Sequence, residues 1–169
     1  MGLLAGIVGA AAMAMFAMTA AATYQGTGFL TPLYHIGSAF GSQESVGAMS
    51  ASMDQAMEGD LFHFTVGPAA LGTAIHFITG AGWGLLFGLL VRAIHLTRST
   101  VVPAGVVFGI LAMLVMSYGV LPAVASLFES GPAIRDMPSM VGWGAFSAEH
   151  AIFGLPLGLV GLSIPPRNN

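Results

Sequence analysis

Four long apolar stretches constrain the fold of this sequence more than any other feature. They cover 3–24, 67–91, 101–123 and 140–163. A helix needs about 20 apolar residues to cross the hydrocarbon core of a bilayer, so each stretch is long enough to span it. The sequence therefore predicts an all-α polytopic membrane protein. We expect a single membrane domain over 1–169, with four transmembrane helices arranged as two tandem hairpins.

The composition indicates a chain that is surrounded by lipid. Hydrophobic residues make up 56% of the sequence and charged residues 7%, whereas soluble domains carry about 25% charged residues. The net charge is −3, and the chain lacks the basic clusters on which nucleic-acid binding depends. It contains no Cys, which excludes disulfides, thiolate metal sites and Cys nucleophiles. We expect membrane lipids as partners, and no nucleic acid.

The basic residues predict the orientation in the membrane. Arg92 and Arg98 flank the connection between the second and third stretches, and Arg167 follows the fourth. The long segment 25–66 between the first two stretches has no Lys or Arg and contains Glu44, Asp54, Glu58 and Asp60. By the positive-inside rule, both termini are then cytoplasmic and the 25–66 loop lies on the outer side.

Two of the apolar stretches share a pattern of histidine and glycine. A shift of 74 residues places His76 on His150, and a shift of 100 places the third stretch on the first. Glycines recur at every fourth position along this pattern: Gly72, Gly80, Gly84 and Gly88, then Gly154 and Gly158. In lipid, small residues let helix backbones approach each other closely. We therefore predict that these glycines form packing faces, and that both histidines face protein or an enclosed cavity.

The segments HFITGAGWGLLFGLL, AGVVFGILAMLVM and HAIFGLPLGLV resemble those of small, uncharacterised, four-helix prokaryotic integral membrane proteins. The resemblance covers the apolar stretches only. It implies a four-helix bundle, and it supplies no activity, substrate or catalytic residue. We expect the protein to lie in a prokaryotic inner (cytoplasmic) membrane.

Three interpretations of the histidines stay open. In the first, His76 and His150 hold a haem b or a chlorophyll-type pigment, because imidazole is a common haem ligand and four-helix bundles build cofactor sites between facing helices. In the second, His35 and His63 contribute to a metal site on the outer side, for example for copper. In the third, each histidine forms a hydrogen bond with the backbone or a hydroxyl group of an adjacent helix.

Glu149 is the one charged residue within the four stretches. A carboxylate inside the membrane must be protonated, paired or in contact with water, which suggests a relay with His150 or His63. The alternative is a glutamate at the membrane interface, since the ends of a predicted helix are imprecise.

These features predict a non-catalytic integral membrane subunit that packs with other membrane proteins or with copies of itself. The sequence shows no catalytic triad, phosphate-binding loop or paired-carboxylate spacing, so an independent enzyme is not expected. Two alternatives stay open: a small transporter or channel with a path lined by Glu and His, and a membrane oxidoreductase subunit with an outer-side metal site.

Overall fold

The protein consists of helices joined by short turns. The computed structural model describes residues 1–94 and 96–162, and within these ranges there is no strand. Arg167 and the last residue of the predicted fourth span, Ser163, lie outside the described residues. The helices in chain order are α1 (Gly2–Ala20), α2 (Thr31–Gly37), α3 (Gln43–Met57), α4 (Val66–Ile94), α5 (Arg98–Val115), α6 (Leu121–Leu127), α7 (Gly131–Arg135), α8 (Met137–Val141) and α9 (Trp143–Gly161).

Three helical segments are long and apolar enough to cross a membrane: Gly2–Gln25, Val66–Ile94 and Arg98–Leu127. The first is α1 continued by the π-helical turn Ala21–Gln25, and the third joins α5 to α6 through the π-helical turn Met116–Val120. These findings confirm that the described part of the chain is all-helical, and they are consistent with a membrane protein.

The predicted fourth span corresponds to α9, which does not reach the hydropathy of the other three segments within the described residues. Its polar residues Glu149 and His150 lower its mean hydropathy. It also begins later than predicted. Gly142 has a φ of 91°, a backbone conformation that glycine adopts readily and other residues avoid. This residue separates α8 from α9, so 140–141 belong to the preceding short helix.

The long helices form two close pairs. In one, α1 packs against α4, and in the other, α5 packs against α9; α1 also packs against α9. A Cβ atom placed on Gly84 would lie 2.5 Å from the Cα of Gly6, and one on Gly105 would lie 2.6 Å from the backbone nitrogen of Gly158. Real Cβ atoms do not approach other atoms so closely, so the backbones of each pair touch at these glycines.

The predicted glycine positions occupy different surroundings. Gly80, Gly84 and Gly88 lie against α1, whereas Gly154 and Gly158 lie against α5. Gly72 instead lies against the backbone of Leu33 in the short helix α2.

The correspondence between the first and third apolar stretches has a different register from the shift of 100 residues that the sequence predicts. Gly6 faces Gly80 and Gly84 as Gly105 faces Gly154 and Gly158, and Gly105 follows Gly6 by 99 residues rather than 100.

The segment between α1 and α4 folds onto the bundle. Tyr34 in α2 is fully buried. Its hydroxyl donates a hydrogen bond to the carbonyl oxygen of His63 (2.7 Å) and accepts one from the backbone nitrogen of Thr65 (2.9 Å). In α3, small residues are buried and Met57 is 78% exposed. The short helices are therefore packed structural elements.

Candidate functional site

A cavity of about 310 Å³ lies among the helices, at the lower end of the range of roughly 300–1,000 Å³ found for small-molecule sites. Its wall is formed by parts of α1, α2, α4, α5 and α9, together with both π-helical turns and the short helices α3, α6 and α8. Most of the wall is apolar. Its titratable side chains are His35, His76, Glu149 and His150. We call this cavity the chamber.

The three chamber histidines each form a hydrogen bond with a backbone carbonyl oxygen. The Nε2 of His76 lies 2.9 Å from the oxygen of Ala10 in α1. The Nδ1 of His150 lies 2.8 Å from the oxygen of Phe146, one turn earlier in α9. Because a carbonyl oxygen only accepts hydrogen bonds, the bonded ring nitrogen carries the proton. The other nitrogen of each neutral ring is then an acceptor.

His35 joins two distant parts of the chain. Its Nε2 donates a hydrogen bond to the carbonyl oxygen of Ala133 in α7, at 2.7 Å. Burial lowers the pKa of His35 below its ordinary value, although the bond to Ala133 acts in the opposite direction. The neutral form of His35 is therefore the one that fits this position, and its Nδ1 is an acceptor.

These geometries bear on the predicted interpretations of the histidines. His76 bonds an adjacent helix, as the structural interpretation expects, whereas His150 bonds its own helix. The Nε2 of His150 is left for a ligand, and a bond from Nδ1 to a carbonyl is the usual support for a metal-binding imidazole. The Nε2 of His76 is already used. Haem or pigment binding through both histidines would need that bond to break or Nδ1 to serve as the ligand.

Glu149 lies inside the protein, not at an exposed helix end. It is 5% exposed and lines the chamber. Among the described residues, its carboxyl group has no hydrogen-bond or ion-pair partner. Glu149 thus lines the same chamber as the three histidines, and no described residue satisfies its oxygens.

His63, the second residue of the predicted outer metal site, does not line the chamber. Its Nε2 lies 3.1 Å from the hydroxyl of Thr65, and its ring packs against Tyr34. Within 1–94 and 96–162, no group of three or more His, Cys, Asp or Glu side chains could hold a metal ion. The metal site at His35 and His63 stays a prediction, and the structure directs the two side chains to different partners.

Several chamber residues were not singled out from the sequence. Trp83, Phe146 and Phe153 contribute aromatic rings to the wall, and the ring centroids of Phe146 and His150 are 4.5 Å apart. His35, which the sequence predicts as an outer-side metal ligand, lies in the short helix α2 and lines the chamber. The one available signal was the apolar segment LYHIGSAF around it, which is typical of a buried helix and not of an exposed loop.

Comparison with known proteins finds no match: no family model, no curated protein and no solved structure is similar to this chain. The resemblance to small, uncharacterised four-helix membrane proteins therefore stays a prediction.

Proposed function

We propose that the protein is an integral membrane protein that crosses the bilayer four times and holds a small ligand from the lipid phase in the chamber. Three segments have the length and hydropathy of membrane-crossing helices. The proposed fourth crossing is α9, which packs against α1 and α5. Its polar residues Glu149 and His150 are buried, so α9 presents few polar groups to lipid. With Arg92 and Arg98 on the cytoplasmic side, both termini are cytoplasmic.

The chamber is the observation that carries this proposal. Protein interiors are close-packed, and cavities much larger than a water molecule are few. A cavity of about 310 Å³ with apolar walls and a few polar groups is the usual form of a small-molecule site. The polar groups would orient the ligand, and the apolar walls would supply most of its binding free energy.

The predicted assembly with other membrane proteins is a separate proposal. The predicted packing glycines of α4 and α9 (Gly72, Gly80, Gly84, Gly88, Gly154 and Gly158) meet backbones of the same chain, so they do not by themselves require a partner. Purification from the native membrane in mild detergent, with identification of co-purifying proteins, tests it.

Haem or pigment binding through His76 and His150 is one version of the proposed function. His150 has a nitrogen available for a ligand, whereas His76 must first give up its bond to Ala10. An optical spectrum of the purified protein decides this point. A Soret or pigment band that disappears in His150→Gln would support it, and a spectrum without such a band would exclude it.

Filling the chamber tests the proposed function directly. Ala14 lines the chamber, and Ala14→Phe would occupy part of its volume. Met15 is the neighbouring residue on the outer face of α1 and is 55% exposed, so Met15→Phe is the matched control. We expect small molecules that co-purify with the wild type, identified by mass spectrometry, to be lost in Ala14→Phe and retained in Met15→Phe. Equal retention by all three proteins would refute the chamber as the binding site.

The unpaired carboxylate of Glu149 favours a second candidate, a transporter. A ligand that moves between the chamber and water would use Glu149 as its one charged contact. Solute or ion flux into proteoliposomes should then be lost in Glu149→Gln and kept in Asp54→Asn, which changes an exposed carboxylate in α3. Unchanged flux in Glu149→Gln would remove the support for transport.

A further inference from the structure

We infer that the chamber binds a small lipophilic organic cation, which lies against Glu149 and replaces the proton of its carboxyl group. This inference rests on the proposed function, because it needs the chamber to be a ligand site. It adds the chemical class of the ligand and the charge exchange that accompanies binding.

Glu149 has no counter-charge among the described residues. An ionised carboxylate in apolar surroundings costs several kcal/mol unless it is paired. The sequence contains four basic residues, all arginines, and the described arginines Arg92, Arg98 and Arg135 do not line the chamber. Within 1–94 and 96–162, no arginine balances this carboxylate, so the group holds a proton or meets a cation from outside these residues.

Backbone hydrogen bonds orient the imidazoles of the chamber. The titratable groups that line the chamber with Glu149 are His35 from α2, His76 from α4 and His150 from α9; the wall residues of α1 and α5 add none. Each ring gives an N–H to a backbone carbonyl oxygen. The neutral rings therefore offer only acceptor nitrogens to a ligand, an arrangement that suits a positive charge or a hydrogen-bond donor.

Part of the chamber wall is aromatic. Trp83, Phe146 and Phe153 line the chamber, and the faces of such rings attract organic cations. In the described part of the chain, no cluster of three His, Cys, Asp or Glu side chains is present for a metal ion. The apolar wall and the rings thus favour a cation with a hydrophobic body over a hydrated inorganic ion.

The exchange keeps the total charge of the chamber constant. Before binding, the carboxyl group of Glu149 is protonated and neutral. When the cation enters, the O–H bond breaks, the proton leaves to solvent, and the carboxylate and the cation form a neutral ion pair. Burying such a pair costs less than burying either charge alone, which is why binding and proton release are coupled.

Two compounds of the same shape test this inference. Benzyltrimethylammonium is a permanent cation, and neopentylbenzene is its uncharged isostere with carbon in place of nitrogen. Both are titrated into the full-length protein in neutral detergent micelles, with binding followed by calorimetry and proton release by a pH indicator in weak buffer. We expect the cation to bind at least about tenfold more tightly, a factor of ten being about 1.4 kcal/mol, with about one proton released per cation.

Two variants test whether the cation preference and the proton release depend on Glu149 and not on carboxylates in general. In Glu149→Gln, the preference for the cation and the proton release should both disappear, whereas Asp54→Asn should keep both. If Glu149→Gln does not fold, the pH dependence of binding to the wild-type protein still tests the inference. The affinity for the cation should fall as the pH falls, because protons compete for Glu149 and protonated His35, His76 or His150 would repel the ligand. The affinity for neopentylbenzene should not follow this trend.

Failure of the cation inference can be distinguished from failure of the proposed function. If both compounds bind equally and Ala14→Phe blocks both, the chamber is a ligand site and the cation inference is wrong. If the cation does not bind, or binds without Glu149, the inference is also wrong. In that case the retention of co-purifying molecules by the wild type and their loss in Ala14→Phe decide separately whether the proposed function stands.

Discussion

The two halves of the bundle are built differently. In the half that contains the start of α1 and the end of α4, glycine backbones touch, as at Gly6 and Gly84. We call this the glycine half. The opposite half contains the chamber, both π-helical turns and the short helices packed around them. We call it the chamber half.

The difference shows how one set of helices can support both stability and binding. Backbone contact leaves no space for a ligand, and it fixes the distance between the helices of a pair. In the chamber half, the same helices have separated enough to form a partly open cavity. Besides the backbone contact of Gly72 with Leu33, individual side chains connect the elements there, as in the hydrogen bonds of Tyr34 and His35. The two halves should therefore respond differently to substitution.

The largest expected effect is in the glycine half. Gly84→Leu would place a side chain where even a Cβ lies 2.5 Å from the Cα of Gly6, so the helices must separate. We expect a loss of about 3 kcal/mol or more in the free energy of unfolding, or little folded protein. A Cβ placed on Gly82 in the same helix would have no neighbouring atom within 4 Å, so Gly82→Leu is the control. Equal stability of the two variants in a denaturant titration would contradict close backbone contact in the glycine half.

A smaller effect is expected for a side-chain connection of the chamber half. Tyr34→Phe removes the hydroxyl that bonds the carbonyl oxygen of His63 and the backbone nitrogen of Thr65. Leaving these groups without a partner should cost about 1–2 kcal/mol of unfolding free energy. Tyr24 is 65% exposed, and Tyr24→Phe should have no measurable effect. A loss in Tyr34→Phe as large as that in Gly84→Leu would remove the contrast between the halves.

The smallest effect concerns pH and the link between α2 and α7. Burial lowers the pKa of His35 from its ordinary value of 6.5. Below about pH 6.5, the unfolded chain takes up a proton on this residue that the folded chain does not yet accept, so the free energy of unfolding should decrease as the pH falls. The decrease should level off once the pH is below the lowered pKa.

The His35→Gln variant isolates this contribution, because glutamine can still donate to the oxygen of Ala133. The difference in unfolding free energy between wild type and His35→Gln, measured from pH 8 to pH 5, should shrink or change sign toward acid. A difference that stays constant with pH would show that His35 titrates alike in both states.

Much of the helical architecture could be predicted from the sequence. Apolar length alone predicts the long helices, and each of the three membrane-length segments extends beyond its predicted span by a few residues at most. The spacing of Gly80 and Gly84 indicates which side of α4 is suited to close contact. Spacing within one helix does not identify the partner, however. Gly72 belongs to the same row of glycines and lies against α2 instead of a long helix.

The chamber could not be predicted, because it depends on how several helices diverge. His35 and His150 are 115 residues apart, and they line one cavity only because α2 folds back onto the bundle. The tendency of Glu149 and His150 to face protein could be inferred from the cost of exposing them to lipid. That Glu149 and His150 line the same cavity as Trp83 and Phe153 follows from tertiary packing, which local sequence patterns do not encode.

The π-helical turn Met116–Val120 has a consequence for the rotational phase of the third long segment. At about 100° per residue, the eight residues from Met113 to Leu121 would turn these side chains about 80° apart in a regular α-helix. A π turn accommodates one additional residue, so the effective separation is seven residues and the angle falls to about 20°. Both side chains are indeed buried in one hydrophobic cluster. Deletion of a single residue within this turn would restore a regular α-helix and leave both flanking faces in phase, whereas the same deletion within α5 would rotate one part of the segment away from the core.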